Sequence, residues 1–204
     1  VSRGCQVVVI GAGPGGYVAA IRLAQLGKDV ILVEREAALG GVCLNEGCIP
    51  SKALIHASDL AHEARTSSAM GITVEGLQVD MAKMVQWKNG IVRRLTSGVK
   101  TLCGANNVAV VRGSAELTGD RSLLVTSDDG QVGIQFEQAV IATGSVPMTL
   151  PGFEVDGVGV IGSREALDLT AVPERLVVIG GGYIGLELGS VHAKLGARVT
   201  VVEM

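Results

Sequence analysis

The sequence is poor in aromatic residues, in cysteine and in net charge. Its 204 residues include one Trp, two Tyr, two Phe and four Cys, and the formal net charge is −3. Because no block of basic residues occurs, we expect neither nucleic acid nor an anionic membrane surface as a partner. No apolar run approaches the roughly 18 residues of a spanning helix. Few cysteines and a strand close to the N-terminus predict an intracellular protein without a signal peptide.

Glycine, in contrast, is abundant, with 29 residues and no collagen-like period. Such usage indicates many tight turns or close approaches of backbone to a ligand.

The first glycine cluster lies between a strand and a helix. An apolar run, 6–10, precedes Gly11-Ala12-Gly13-Pro14-Gly15-Gly16, and a helix followed by a strand ends at Glu34. This is the dinucleotide-binding fingerprint in its proper context. Gly11 makes the turn, Gly13 admits the pyrophosphate, and Gly16 lets the helix pack on the strand. Glu34 is placed to accept a hydrogen bond from a ribose hydroxyl.

Residues 176–203 repeat residues 7–34. At an offset of 169, 12 of 28 positions are identical, including the glycines of the fingerprint and Glu34/Glu203. Gly180, Gly182 and Gly185 are the second set of fingerprint glycines. Two fingerprints predict two dinucleotides, and Glu203 would repel a 2′-phosphate, so the second site should prefer NAD to NADP.

Between the fingerprints lies a cysteine pair, Cys43 and Cys48. On a regular helix five steps separate Cα atoms by about 7.5 Å, with side chains rotated apart, so a bridged pair requires a break in the helix. Pro50 indicates a helix that begins near Cys48, where the helix dipole would favour a thiolate. The spacing alone leaves open a catalytic dithiol, a structural disulfide or two buried thiols.

The segment 40–52, Gly-Gly-Val-Cys-Leu-Asn-Glu-Gly-Cys-Ile-Pro-Ser-Lys, resembles the redox-active disulfide signature of the flavin-dependent pyridine nucleotide-disulfide oxidoreductases. Leu44, Ile49 and Ser51 resemble its dihydrolipoamide dehydrogenase branch. The resemblance implies a redox disulfide in which Cys43 exchanges with substrate and Cys48 faces the flavin. It also implies that Lys52 lies beside the flavin ring and pairs with Glu187.

The same resemblance implies two cofactors, FAD and NAD. We expect FAD contacts from the first fingerprint and its flanks and from later small-residue motifs, and NAD contacts from the second fingerprint. The FAD set is Gly11, Gly13, Pro14, Gly15, Gly16, Glu34, Arg35, Gly41, Val42, Cys43, Cys48, Lys52, Ala115, Thr143, Gly144 and Ser145, and the NAD set is Gly180, Gly182, Ile184, Gly185 and Glu203. Tyr183, a further expected cofactor contact, stands where related reductases place a ring over the flavin.

The fold predicted from these patterns is α/β, a doubly wound parallel sheet with a small antiparallel meander and the start of a second Rossmann-like domain. We expect an FAD-binding domain at 1–147 and a connector with a truncated NAD-binding domain at 148–204. The meander is predicted from strands at 108–111, 123–126 and 132–136, with 139–142 returning to the parallel sheet. His192 is expected on a helix surface.

By resemblance, the reaction is oxidation of protein-bound dihydrolipoamide with NAD as acceptor. The implied partner is a lipoyl domain of a 2-oxo acid dehydrogenase complex or glycine cleavage system, and the parent would be a homodimer. Its location would be the bacterial cytoplasm or the mitochondrial matrix. Other disulfide reductases, mercuric or glutathione-like, and a non-catalytic dinucleotide-binding fragment remain alternatives. We expect no metal site.

No His is followed by Glu five positions on, although the family's catalytic base belongs to such a pair. We therefore expect the base to lie beyond residue 204 and the 204-residue chain to be inactive alone.

Overall fold

The structure is a computed structural model that describes residues 2–203, with the side chain of Ser2 left out; Val1 and Met204, at the ends of the two predicted domains, lie outside the described residues. The helices are α1 (Pro14–Gln25), α2 (Gly41–Glu46), α3 (Cys48–Thr66), α4 (Met81–Ala105), α5 (Ser163–Leu167) and α6 (Tyr183–Leu195). The strands are β1 (Ser2–Ile10), β2 (Val30–Glu34), β3 (Ala109–Arg112), β4 (Ser114–Gly119), β5 (Ser122–Ser127), β6 (Gly130–Ile141), β7 (Arg175–Ile179) and β8 (Arg198–Val202).

These elements group into two compact units. The first comprises the described residues up to Asn45 together with Arg93–Val146, and the second comprises Glu46–Val92 together with the described residues from Pro147 onwards. Helix α4 contributes to both units. The division is not a test of the predicted domain boundary at 147/148, which stays a prediction.

The first unit is built on a six-stranded sheet in the order β3-β2-β1-β6-β5-β4. Strands β3, β2, β1 and β6 are parallel, while β4, β5 and β6 form an antiparallel meander. Buried aliphatic residues of β1, β2 and β3 and those of the meander share one core, with Val8, Ile31, Leu123 and Ile134 at most 4% exposed. The predicted α/β class with a mostly parallel sheet is confirmed.

The predicted meander was wrong in two details. Strand 108–111 is β3, which pairs parallel with β2 rather than antiparallel with β5; a parallel neighbour needs a long crossover, which the intervening helices supply. Its place is taken by β4, a short and mostly exposed strand that was not predicted, although Ala115 and Leu117 alternate with polar residues in it.

The two segments 132–136 and 139–142 were also predicted as separate strands. They belong to one twelve-residue strand, β6, which pairs with both β1 and β5. Glu137 and Gln138 separated the segments in the prediction because they are polar, but both are exposed and remain in the strand.

The second unit contains a β7-α6-β8 unit, in which β7 and β8 are parallel, with α3 and α5 packed on α6. Its core joins residues of all three helices and of α4, including Leu54, Leu167, Leu188 and Val191. Hydrophobic burial of this kind is the main source of stability for such a helix layer.

His192 of α6 lies in this layer and is completely buried, so the prediction of a surface histidine was wrong. The helix shows several buried faces because it packs on a sheet and on two helices. The backbone of Ala166 provides a polar contact that opposes, without cancelling, the effect of burial on the pKa of His192. Burial lowers the pKa of His192, because the charged imidazolium would lose its hydration.

This burial predicts an acid-sensitive second unit. In the unfolded chain the His192 imidazole has an ordinary pKa of about 6.5 and binds a proton below that pH, whereas in the folded chain it stays neutral. The free energy of unfolding should therefore fall as the pH drops below about 6.5. Thermal melts followed by circular dichroism between pH 5 and pH 8 measure this dependence of stability on pH. His192→Leu should reduce the slope of melting temperature against pH. His62→Gln, at an exposed position of α3, is the control. An unchanged slope in His192→Leu would contradict the assignment.

Candidate dinucleotide and dithiol sites

The first glycine loop, residues 11–16, connects β1 to α1 in the geometry that the fingerprint predicts. Gly11 has φ +97°, and its N–H donates to the Val33 carbonyl of the neighbouring strand at 2.8 Å. Helix α1 begins at Pro14, directly after its N-cap Gly13. A Cβ on Gly16 would overlap the carbonyl oxygen of Gly11. The helix therefore starts against the strand end, and its N-terminus is directed at the loop.

Glu34 ends β2 and is only 8% exposed. Its Oε2 accepts from the Ala12 N–H at 2.7 Å and its Oε1 from the Glu36 N–H at 3.0 Å. These bonds hold the carboxylate at the glycine loop. Each oxygen keeps a second lone pair, so the group can still accept a hydrogen bond from a ribose hydroxyl.

A second backbone segment lies against this loop. The Gly40 N–H donates to the Ala12 carbonyl at 2.8 Å, and a Cβ on Gly41 would lie 2.6 Å from the Gly13 Cα. Gly41 also has φ +58°. The Asn45 side-chain amide donates to the carbonyls of Leu39 and Gly41 at 3.2 and 2.9 Å. Two glycine segments thus form a cradle without side chains, which fits a pyrophosphate.

The adenosine end of such a cofactor would meet a polar cavity beside Glu34. Arg112 is the strand partner of Glu34. The cavity has a volume of about 180 Å³ and is lined by Arg35, Arg112, Gly113, Ser114, Thr126, Ser127, Asp128 and Asp129. Ala115, which follows in β4, packs its side chain on the core. At the glycine loop, the backbone that follows β6 approaches Gly11, where Thr143 Cα would lie 3.1 Å from a Cβ placed on Gly11.

The second glycine loop, residues 180–185, repeats these contacts in the second unit. Gly180 has φ +99°, and its N–H donates to the Val202 carbonyl at 2.8 Å. A Cβ on Gly185 would lie 2.5 Å from the Gly180 carbonyl oxygen. The Gly181 N–H donates to the Glu203 carboxylate, as the Ala12 N–H does to Glu34. The internal repeat therefore extends from the sequence to individual hydrogen bonds.

Around the cysteines, the predicted break in the helix is confirmed. Helix α2 ends at Glu46, Gly47 has φ −138° and ψ −110°, and α3 begins at Cys48. Cys48 is exposed in the first turn of α3, where backbone N–H groups lack intrahelical acceptors. Cys43 is half-buried in α2 of the first unit and Cys48 belongs to the second, so a bond between them stays a prediction.

Lys52 follows Cys48 by one helical turn and meets the glutamate that the resemblance assigns to it. Its Nζ donates to Glu187 Oε1 at 2.6 Å, with the two side chains 61% and 30% exposed. Both residues belong to the second unit, on α3 and α6. The contact is present, whereas its role beside a flavin stays a prediction.

The remaining predicted contact residues are exposed and available to a ligand. This set is Pro14, Gly15, Arg35, Val42, Gly144, Ser145, Gly182, Tyr183 and Ile184. Arg35 forms an ion pair with Glu36 at 3.2 Å, and Tyr183, at the first position of α6, is 76% exposed.

Besides Asp80–Lys83 and Glu46–Arg164, two further ion pairs of the second unit were not predicted from the sequence. Asp59 of α3 pairs with Lys194 of α6. Lys88, 2% exposed, donates to the Leu167 carbonyl at 2.8 Å and to Asp168 at 2.5 Å, which closes the C-terminus of α5. The Asp59–Lys194 pair could have been predicted, because Asp59 follows Lys52 by seven residues and Lys194 follows Glu187 by seven residues. No sequence pattern indicates the Lys88–Asp168 pair.

Fold and loops together define a dinucleotide-binding protein of the Rossmann type. The family model described as pyridine nucleotide-disulphide oxidoreductase matches residues 5–204. The chain belongs to this family.

Its relatives include dihydrolipoyl dehydrogenase 2 of Haloarcula marismortui, 56% identical over all of this chain and 43% of the relative. Dihydrolipoyl dehydrogenase of Geobacillus stearothermophilus is 49% identical over 97% of this chain and 42% of its own length. The crystal structure of LpdA from Mycobacterium tuberculosis superposes with a TM-score of 0.88 at 26% identity, over 97% of this chain and 44% of that one. The chain thus spans less than half the length of these relatives.

Within residues 2–203, no helix is both long and apolar enough to cross a bilayer. No cluster of three or more potential metal ligands occurs in the same described part of the chain.

The contact at Gly16 predicts a sharp difference between two neighbouring glycines. Gly16→Ala should destabilise the first unit by about 1–3 kcal/mol, because the new methyl overlaps the Gly11 carbonyl. Gly15→Ala is the matched control, since its Cβ would meet only the Ala142 methyl at an ordinary 3.9 Å. Urea unfolding followed by circular dichroism measures both variants. Equal stability of the two would refute the close-packing account.

Proposed function

We propose that this chain is the dinucleotide-binding and dithiol part of a dihydrolipoyl dehydrogenase, which oxidises a protein-bound dihydrolipoyl group with NAD as acceptor. One observation carries the proposal. A single chain holds two glycine loops, each with a glutamate bound to its loop amide, and a cysteine at a helix start lies between them in sequence. The names of its relatives support the same activity.

FAD fits the first loop. The side-chain-free approach of Gly13 and Gly41 suits its pyrophosphate, and Glu34 retains lone pairs for its ribose. The cavity beside Arg35 and Arg112 suits the adenosine end. When bound, FAD supplies the two-electron carrier between the dithiol and the pyridine nucleotide.

The chain's own chemistry is thiol–disulfide exchange. A thiolate of the substrate attacks Cys43 Sγ in the proposed Cys43–Cys48 disulfide, and Cys48 leaves as a thiolate. The second substrate thiol then displaces Cys43, so the substrate becomes a cyclic disulfide and the cysteines gain two electrons. The leaving Cys48 sulfur belongs to the first turn of α3, where backbone N–H groups lack intrahelical acceptors. The base that deprotonates the substrate is expected outside these 204 residues.

NAD fits the second loop. The Glu203 carboxylate, bound to the Gly181 N–H, would accept from the ribose 2′-OH and repel a 2′-phosphate. Tyr183 and Ile184, which are exposed at the start of α6, are proposed cofactor contacts, Tyr183 toward the flavin. For the parent protein we propose a homodimer that serves a lipoyl domain, in the cytoplasm or the mitochondrial matrix.

A mercuric or glutathione-like reductase is the second candidate, because its chemistry uses the same dithiol. Glu203 disfavours such reductases where the electron donor is NADPH, because its carboxylate would repel the 2′-phosphate.

Flavin reduction by the two pyridine nucleotides tests the proposal. After incubation with FAD, anaerobic NADH should bleach the flavin absorbance at least about ten-fold faster than NADPH, a difference of about 1.4 kcal/mol. Glu203→Gln should reduce the ratio of the NADH rate to the NADPH rate, because it removes the repulsion of the 2′-phosphate. Glu174 is an exposed carboxylate outside the loop, and Glu174→Gln should leave this ratio unchanged. Faster bleaching by NADPH would favour the second candidate, and no FAD uptake would contradict the proposed cofactor site.

A further inference from the structure

We propose that Asp59 and Lys194 are positioning residues that set the register of α3 against α6 and thereby keep the Lys52 ammonium on Glu187. The importance given to Lys52 rests on the proposed function, but the register itself does not. All four residues belong to the second unit.

The two ion pairs form a ladder between α3 and α6, and the helix that carries the cation differs from one pair to the other. Lys52 of α3 pairs with Glu187 of α6, and Asp59 of α3 pairs with Lys194 of α6. Both steps are seven residues long, so the helices run in the same direction and the pairs lie two turns, about 10.5 Å, apart. The cation belongs to α3 in the first pair and to α6 in the second.

The layer between the two pairs is apolar. Val191 of α6 is 1% exposed and Leu188 is 7% exposed, and Ile55 of α3 packs on the same cluster. Aliphatic contacts are not directional, and one aliphatic side chain replaces another at small cost. This layer by itself therefore defines the distance between the helices better than it defines their axial register.

The four charged side chains define the axial register that the apolar layer leaves poorly defined. A slip of two turns would bring Asp59 opposite Glu187, or Lys52 opposite Lys194, and like charges repel. A slip of one turn would place His56 or Cys48 where Lys52 now meets Glu187. Only the observed register satisfies both pairs, so the second pair selects the position of the first.

Arg65 strengthens the far end of the ladder. Its guanidinium donates to the Lys194 carbonyl at 2.8 Å, in the last turn of α6. A cation at this end also suits the helix dipole. Lys194 is thus held through both its side chain and its backbone by α3, two turns away from Lys52.

The register matters because Lys52 lies one turn from Cys48 on the same helix. If α3 moved along α6, Lys52 would lose its carboxylate partner and its orientation relative to the cysteine would change. Asp59 and Lys194 touch neither cysteine in this account; they act through the Lys52–Glu187 pair.

Trace acetylation of Lys52 tests the proposal directly. The 204-residue chain is labelled with a small amount of acetic anhydride, and the modification at Lys52 is quantified by peptide mass spectrometry. Asp59→Arg should raise the labelling rate by about two- to five-fold, the range that loss of an exposed ion pair permits. Glu187→Gln defines the rate for Lys52 without its partner. The charge-swapped Asp59→Arg, Lys194→Asp double variant should restore the original rate.

Glu63→Arg makes the same charge change at an exposed position of α3 and should leave the labelling of Lys52 unchanged. A lower melting temperature in Asp59→Arg with unchanged labelling would overturn the proposal, and so would a double variant that labels as fast as the single one. If Asp59→Arg does not fold, Asp59→Asn is judged by the same criteria. The acetylation experiment uses neither flavin nor pyridine nucleotide. A failure of the flavin-reduction test would therefore refute the proposed function without affecting the proposed register of α3 and α6.

Discussion

The close approach of a helix to the end of a strand at each glycine loop is the constraint on which both proposed nucleotide sites depend. Gly16 and Gly185 occupy positions where a methyl group would collide with the carbonyl of Gly11 or Gly180. With no side chain between them, the helix N-terminus lies directly over the strand end. Its unpaired N–H groups and its dipole then face the space where a phosphate would bind.

The glutamate at the end of the second strand completes each loop in the same way. Glu34 and Glu203 each accept a hydrogen bond from the loop amide that follows the first glycine, so the carboxylate holds the loop and borders the proposed nucleotide site. The two loops differ in their surroundings. A second glycine segment, Gly40 and Gly41, is packed against the first loop by a backbone hydrogen bond, and residues 2–203 contain no such contact at the second loop. This extra cradle leads directly into α2 and the cysteines, which connects cofactor binding to the dithiol along the chain.

Local sequence was enough to predict the glycine loops, the break at Gly47 and the start of α3, because each depends on the conformational preference of a few neighbouring residues. It was not enough for the sheet edge. Strand β4 is mostly exposed and its apolar alternation is limited to Ala115 and Leu117, and β3 joins the parallel sheet through a crossover rather than a turn. The burial of His192 also escaped prediction, because it follows from the packing of α6 on three sides. The contact of Lys52 with Glu187 was expected from the family resemblance, while the Asp59–Lys194 pair required the structure.

Our central proposal is that Cys48, at the start of α3, passes electrons from the dithiol to bound FAD. Its most direct test is the visible absorption spectrum of the FAD-loaded protein after anaerobic addition of one equivalent of dithiol. The account predicts a long-wavelength band from a thiolate against the flavin, lost in Cys48→Ser and retained in Cys5→Ser. A flavin spectrum without such a band, or a band that persists in Cys48→Ser, would contradict it.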